Sequence, residues 1–132
     1  MEKYLKFSSE IKNITLAENL VDELSERFHL ESELFGNILI SLIEAVNNAI
    51  LHGNKLDITK NVEIKMKVEG KFLHLTVCDQ GPGFDYTNRY DPTTAENIEK
   101  PHGRGIFLMY HLADNVIFNK NGAEVELQFK IK

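Results

Sequence analysis

Between Val62 and Glu69 the chain alternates without a fault: Val62, Ile64, Met66 and Val68 are apolar, and Glu63, Lys65, Lys67 and Glu69 between them are charged. An extended strand with one covered and one wet face satisfies a period of two; a helix does not. Gly70-Lys71 allows a tight turn into a second run, Phe72 to Asp79, so the two segments form a hairpin. The pattern returns near the other end, where Ala123, Val125, Leu127, Phe129 and Ile131 share one face and Glu124, Glu126, Gln128 and Lys130 the other. Asn121-Gly122, between that run and Val116 to Lys120, is a type I′ turn signal. Such a sheet has one apolar face and needs a cover.

Three segments with helical spacing can supply it. Thr15-Leu-Ala-Glu18 has capping-box spacing, and Ala17, Leu20, Val21, Leu24 and Phe28 recur after three or four residues. A second helix is expected from about Ser32 to Leu51, with Leu34, Ile38, Leu42, Val46 and Ala49 on a stripe that Phe35, Leu39, Ile43 and Ile50 widen. The third runs from Gly103 to Ala113, and Lys3 to Ser8 reads as a short strand ahead of everything else. The order β-α-α-β-β-α-β-β predicts an α+β fold: a two-layer α/β sandwich with a mixed or antiparallel sheet and three main helices on one face.

At 132 residues, this is the length of one domain, 1–132. Fifteen Lys and Arg against 20 Asp and Glu leave a net charge of −5, no global field for a nucleic acid or an anionic membrane. The longest charge-free apolar stretch, Ile38 to Ile43, is too short to cross a bilayer, and Met1-Glu2-Lys3-Tyr4 lacks the order of a signal peptide. A cytoplasmic location is expected. Cys78 is the single cysteine, which excludes an internal disulfide and a multi-cysteine zinc site; on the wet strand face beside Asp79 it reads as an inert buried thiol.

Three polar clusters stand outside the periodic pattern. Glu44, Asn48 and His52 fall at i, i+4 and i+8 of the second helix, on one side of it. The stripe is either a solvent face or a site, and a carboxylate one turn from a carboxamide suits a Mg²⁺-nucleotide: the amide oxygen is a hard ligand and the carboxylate can take a proton. Asp79-Gln-Gly81-Pro-Gly83 places an acid at a strand end on the covered face, followed by two glycines; it is a plain turn or a place where backbone approaches a ligand. His102-Gly103-Arg104-Gly105 leads into the third helix, as punctuation or as a phosphate-binding N-terminus.

In this order the clusters resemble the GHKL superfamily of ATP-binding domains. Glu44-Ala-Val-Asn-Asn48-Ala-Ile-Leu-His52-Gly53 looks like its N box, Asp79-Gln-Gly81-Pro-Gly83 its G1 box, and Gly103-Arg104-Gly105-Ile-Phe-Leu its G2 box. Within the superfamily the chain resembles the anti-sigma factor serine kinases of bacterial partner-switching systems. The resemblance implies that Asp79 receives the adenine amino group, that Asn48 is the Mg²⁺ ligand and that Glu44 is the general base. It also implies that Gly81 and Gly83 let the chain pass close to ATP, and that Gly103, Arg104 and Gly105 meet the phosphates. Residues 86–102, stiffened by Tyr90, Pro92 and Pro101, would then form a lid, and Arg104 would either add charge to the phosphate site or face solvent.

The function so implied is an ATP-dependent serine/threonine protein kinase and anti-sigma factor that phosphorylates an anti-anti-sigma protein. Its partners are the sigma factor and that protein, and the short first strand, at a sheet edge, makes a homodimer the expected state. Two rival readings use the same residues: a non-catalytic, nucleotide-gated protein-binding module, or a separate ATPase subunit of a sensor complex. His52, near a helix C-terminus, is assigned a structural role.

Overall fold

The computed structural model describes residues 1–84 and 103–132. The strands are β1 (Glu2–Ser8), β2 (Asn61–Glu69), β3 (Phe72–Cys78), β4 (Asn115–Asn119) and β5 (Glu124–Lys130). The main helices are α1 (Ile14–Phe28), α2 (Ser32–Asn47) and α3 (Gly103–Leu112), and a π-helical turn, Asn48–Gly53, continues α2. The five strands lie in the order β1-β2-β3-β5-β4 and every pair is antiparallel, so the expected sandwich forms with no mixed pairing.

Register follows the alternation. Leu5 opposes Ile64, Ile64 opposes Val77 and Val77 opposes Val125, so one apolar row crosses four strands on the covered face. A slip of one residue would turn that row to water. Ile38, Leu42, Val46 and Ile50, from α2 and its continuation, are completely buried, as are Ile64, Leu75 and Leu127 of the sheet. By length and composition alone the run Ser32–Gly53 is long and apolar enough to span a bilayer, which the charge-free stretch had understated. Its apolar stripe is used as the core of this fold instead.

The helix ends depart from expectation. Thr15 lies inside α1, which grows out of a 3₁₀ turn at Ile11–Asn13 with no side-chain cap, so the capping-box spacing is unused. The Asn13 amide instead donates to Ser8 O at 2.9 Å, tying the helix start back to β1. At the far end of α2, the Asn54 N–H donates to Ala49 O, five residues back, at 2.8 Å. That wider turn begins at Asn48, so Glu44 and Asn48 keep their one-turn spacing while His52 lies within the π turn; π turns are frequent at functional sites.

At the β4–β5 connection Asn121 and Gly122 have φ of 57° and 97°, and the Ala123 N–H closes the turn onto Lys120 O at 3.1 Å, as the Asn-Gly signal requires. Cys78 is half-buried on the open face of the sheet, not enclosed; partial burial raises its thiol pKa while the Lys120 ammonium, 3.8 Å from Sγ, works the other way. The lid expected over 86–102, with Tyr90, Pro92, Pro101 and His102, lies outside the described residues.

Candidate functional site

Glu44 and Asn48 are both half-buried, one turn apart at the end of α2, and the first turn of α3 lies directly against them. A Cβ on Gly105 would stand 3.0 Å from Glu44 Oε2 and 3.1 Å from Asn48 Nδ2. A side chain at 105 would require the carboxylate and the amide to give way by a few tenths of an ångström. Asn48 Nδ2 is buried and, among the described residues, has no hydrogen-bond partner. An orphaned donor of this kind costs about 1–3 kcal/mol and is tolerated where a ligand or water supplies the missing partner. Turned over, the same amide offers its oxygen instead.

Asp79 follows β3 on the covered face. Its N–H donates to Ala123 O at 2.9 Å, and its Oδ1 accepts the Gly81 N–H at 2.8 Å. Gly53, from the π-helical turn, packs beneath the carboxylate: a Cβ there would fall 2.3 Å from Asp79 Oδ2. A Cβ on Gly81 would in turn fall 2.1 Å from Gly53 O. Two glycines from distant segments therefore allow the strand end and the helix end to touch. Burial raises the Asp79 pKa above the ordinary carboxylate value, opposed by the Gly81 N–H and the Lys60 charge.

Between these groups lies a narrow cleft. Ala45, Ala49, Val77, Met109, Phe118 and Val125 contribute apolar wall, while Asn48, His52 and Asp79 contribute polar groups. An apolar slot with a few fixed polar groups has the form expected of a small-molecule site. Gly83 lines it too, but its missing side chain serves the β4–β5 turn: φ is 84°, and a Cβ would lie 2.0 Å from Asn121 O. Phe84 N–H donates to that same oxygen at 2.8 Å, and its ring meets Phe118 edge-on at 5.6 Å.

The structure thus brings Asn48 and Asp79 to one cleft, Glu44 and Asn48 to Gly105, and Gly81 to Gly53; Gly103 opens α3 and Arg104 is exposed to solvent. Two residues of this arrangement were not singled out from sequence. Gly53 closes the first motif and its signal was simply a glycine after a long helix. Asn54 carried no signal, since a polar residue after the last apolar turn is ordinary.

Among the described residues no cluster of three or more His, Cys, Asp or Glu could cage a metal ion. One carboxamide beside one carboxylate is nevertheless a fitting donor set for Mg²⁺, which is usually held by one or two protein oxygens with waters and substrate phosphates completing the shell.

Comparison with known proteins agrees in extent and in kind. The family described as Histidine kinase-like ATPase domain matches residues 7–129. An Anti-sigma F factor of Geobacillus stearothermophilus is 32% identical over 119 residues, covering 88% of this chain and 81% of the relative. Serine-protein kinase RsbW of Bacillus subtilis is 30% identical over 98 residues, covering 69% of this chain and 61% of its own. Among solved structures, one of the RsbU and RsbW domains of a Mycobacterium tuberculosis protein superposes with a TM-score of 0.68 over 99% of this chain and 32% of that one. At 12% identity that likeness speaks for the fold.

Proposed function

The chain belongs to the histidine kinase-like ATPase domain family, and from that premise we propose that it is an ATP-dependent serine/threonine protein kinase of the anti-sigma type. It holds a sigma factor and phosphorylates a small anti-anti-sigma protein, acting as a single domain, without binding nucleic acid or membrane, in the cytoplasm. The observation that supports this reading is the approach of Gly105 to Glu44 and Asn48, which sets the start of α3 against a carboxylate and a carboxamide, the latter lining the same cleft as Asp79.

Each residue has a task that its surroundings suit. Asp79, held by Ala123 and Gly81, accepts the exocyclic amino group of adenine, and its burial makes that hydrogen bond a strong discriminator. Gly103 to Gly105 present backbone N–H groups and the positive end of the α3 dipole to the phosphates, with Arg104 beside them at the surface. Asn48 is the residue placed to hold Mg²⁺, which when bound supplies charge neutralisation at the phosphate oxygens. Glu44 takes the proton of the partner's serine or threonine hydroxyl as that oxygen bonds to the γ-phosphorus and the bond to ADP breaks. We place a homodimer contact at the outer edge of β1, which among the described residues pairs with β2 alone.

Glu44→Gln keeps shape and hydrogen-bonding capacity and removes the base. Phosphotransfer to the anti-anti-sigma protein, followed with labelled ATP, should fall by roughly 10²-fold or more while ATP and sigma-factor binding persist. Transfer at the wild-type rate would remove Glu44 from the chemistry. A wild type that transfers nothing to any cognate partner, yet changes its partner affinity with ATP, would establish the passive module instead.

A further inference from the structure

Outside the cleft, the most completely satisfied polar side chain among the described residues is Asn54, 1% exposed. Its Nδ2 donates to Ser9 Oγ at 2.8 Å and to Asn61 O at 3.0 Å, and its Oδ1 accepts the Gln80 N–H at 2.8 Å. Ser9, equally buried, reaches on to Lys60 O through its Oγ at 2.8 Å and its N–H at 3.2 Å. One carboxamide therefore ties together the end of β1, the start of β2 and the loop after β3.

The place of this brace gives it a meaning beyond stability. Asn54 directly follows Gly53, on which the Asp79 carboxylate rests, and Gln80 directly follows Asp79. The bond between them is thus a strut between the two segments whose contact sets the polar end of the cleft. Gln80 is clamped from its other side as well, where its Oε1 accepts the Asn61 N–H at 2.5 Å. A buried network with its donors and acceptors filled is stiff, and stiffness is what a carboxylate needs to tell one base edge from another.

We propose that Asn54 is a positioning residue for base selection: by holding the Gln80 backbone it keeps Asp79 over Gly53, where the carboxylate favours a base that donates an amino group. This rests on the nucleotide reading above and adds a residue that never touches the nucleotide. Guanine also carries N1–H and 2-amino donors, so the discrimination lies at position 6 of the purine: a carboxylate held fixed there meets adenine's amino donor but is repelled by guanine's carbonyl, whereas one that can swing withdraws from the carbonyl or reaches guanine's donors.

The test uses the full chain and calorimetric titration with ATP, GTP and inorganic tripolyphosphate, with folding checked by circular dichroism. Asn54→Ala should weaken ATP by roughly tenfold, the scale of a misplaced hydrogen bond to a charged group, and narrow the ATP-to-GTP preference, with tripolyphosphate unchanged. In an Asp79→Asn background the same change should cost ATP binding nothing further. Asn54→Asp retains the acceptor for Gln80 N–H and should recover the preference even if it melts lower. Should Asn54→Ala not fold, Ser9→Ala, which removes only one support of the Asn54 amide, should narrow the preference in the same direction. An unchanged ATP-to-GTP ratio in the folded variants, or full additivity with Asp79→Asn, overturns the proposal. A wild type that binds neither nucleotide overturns the site reading and this inference together, whereas a wild type that prefers ATP beside an equally selective Asn54→Ala overturns the inference alone.

Discussion

Burial lifts the Asp79 pKa above that of the same group in the unfolded chain, against the pull of the Gly81 N–H and the Lys60 charge. A raised acid favours the native state while it is protonated, below its unfolded pKa, and that contribution is lost as pH rises through the folded value. Asp79→Asn, neutral throughout, should therefore melt higher than wild type near pH 7, with the margin closing as pH falls below the ordinary carboxylate range. Thermal melts across that range check it, and an equal or lower melting temperature at pH 7 would contradict it. The same variant should bind ATP more weakly by about 1–3 kcal/mol, a functional residue held at a cost in stability. Gly53→Ala should reproduce the affinity loss with the carboxylate intact, because its Cβ would occupy the space of Asp79 Oδ2; calorimetry showing wild-type affinity would mean that the carboxylate can move without consequence. Glu44, Asn48 and Asp79 were legible in the sequence because each is polar beside or within an apolar pattern. Gly53 and Asn54 were not, since their value comes from partners that are distant in the chain, at Asp79, Ser9 and Gln80.

Among the elements, strands were read more faithfully than helix ends. A period of two fixes which residues face the core whatever strand lies alongside, so β2, β3 and β5 appear close to where the alternation put them. Helix termini depend on tertiary partners. Asn13 turns to Ser8 rather than capping α1, and α2 widens into a π turn as Gly53 meets Asp79. Pairing also ranks the strands by the solvent open to their amides. Among the described residues β3 is flanked by β2 and β5, whereas β1 and β4 each have one neighbour. Native-state hydrogen exchange should accordingly be slowest for Leu73 to Val77 and faster for the amides of β4. Equal protection of β3 and β4 would show that the sheet opens as a single unit.

For the whole molecule, the proposed homodimer contact is the outer edge of β1, which among the described residues pairs with β2 alone. Light scattering at micromolar concentration should return twice the 15.1 kDa chain mass, and a monomeric mass with and without ATP would refute the homodimer. Strand order was less legible than strand existence, because the hairpin signal at Asn121-Gly122 says that β4 and β5 pair but not which of them meets β3. It is β5, and that has a consequence for how the protein comes into being. Asp79 is anchored through Ala123 and Phe84 through Asn121, so the loop that bears the Asp79 carboxylate is fastened by the β4–β5 turn, far along the chain. A nascent chain that has reached Leu112 already contains Glu44, Asn48, Asp79 and Gly105, yet it has an unpaired β3 edge and an unfastened loop. Because β4 joins the sheet only through β5, the two dock on β3 as one hairpin, and a polypeptide interrupted before that hairpin is complete lacks both the cover for the β3 edge and the anchors of the Asp79 loop.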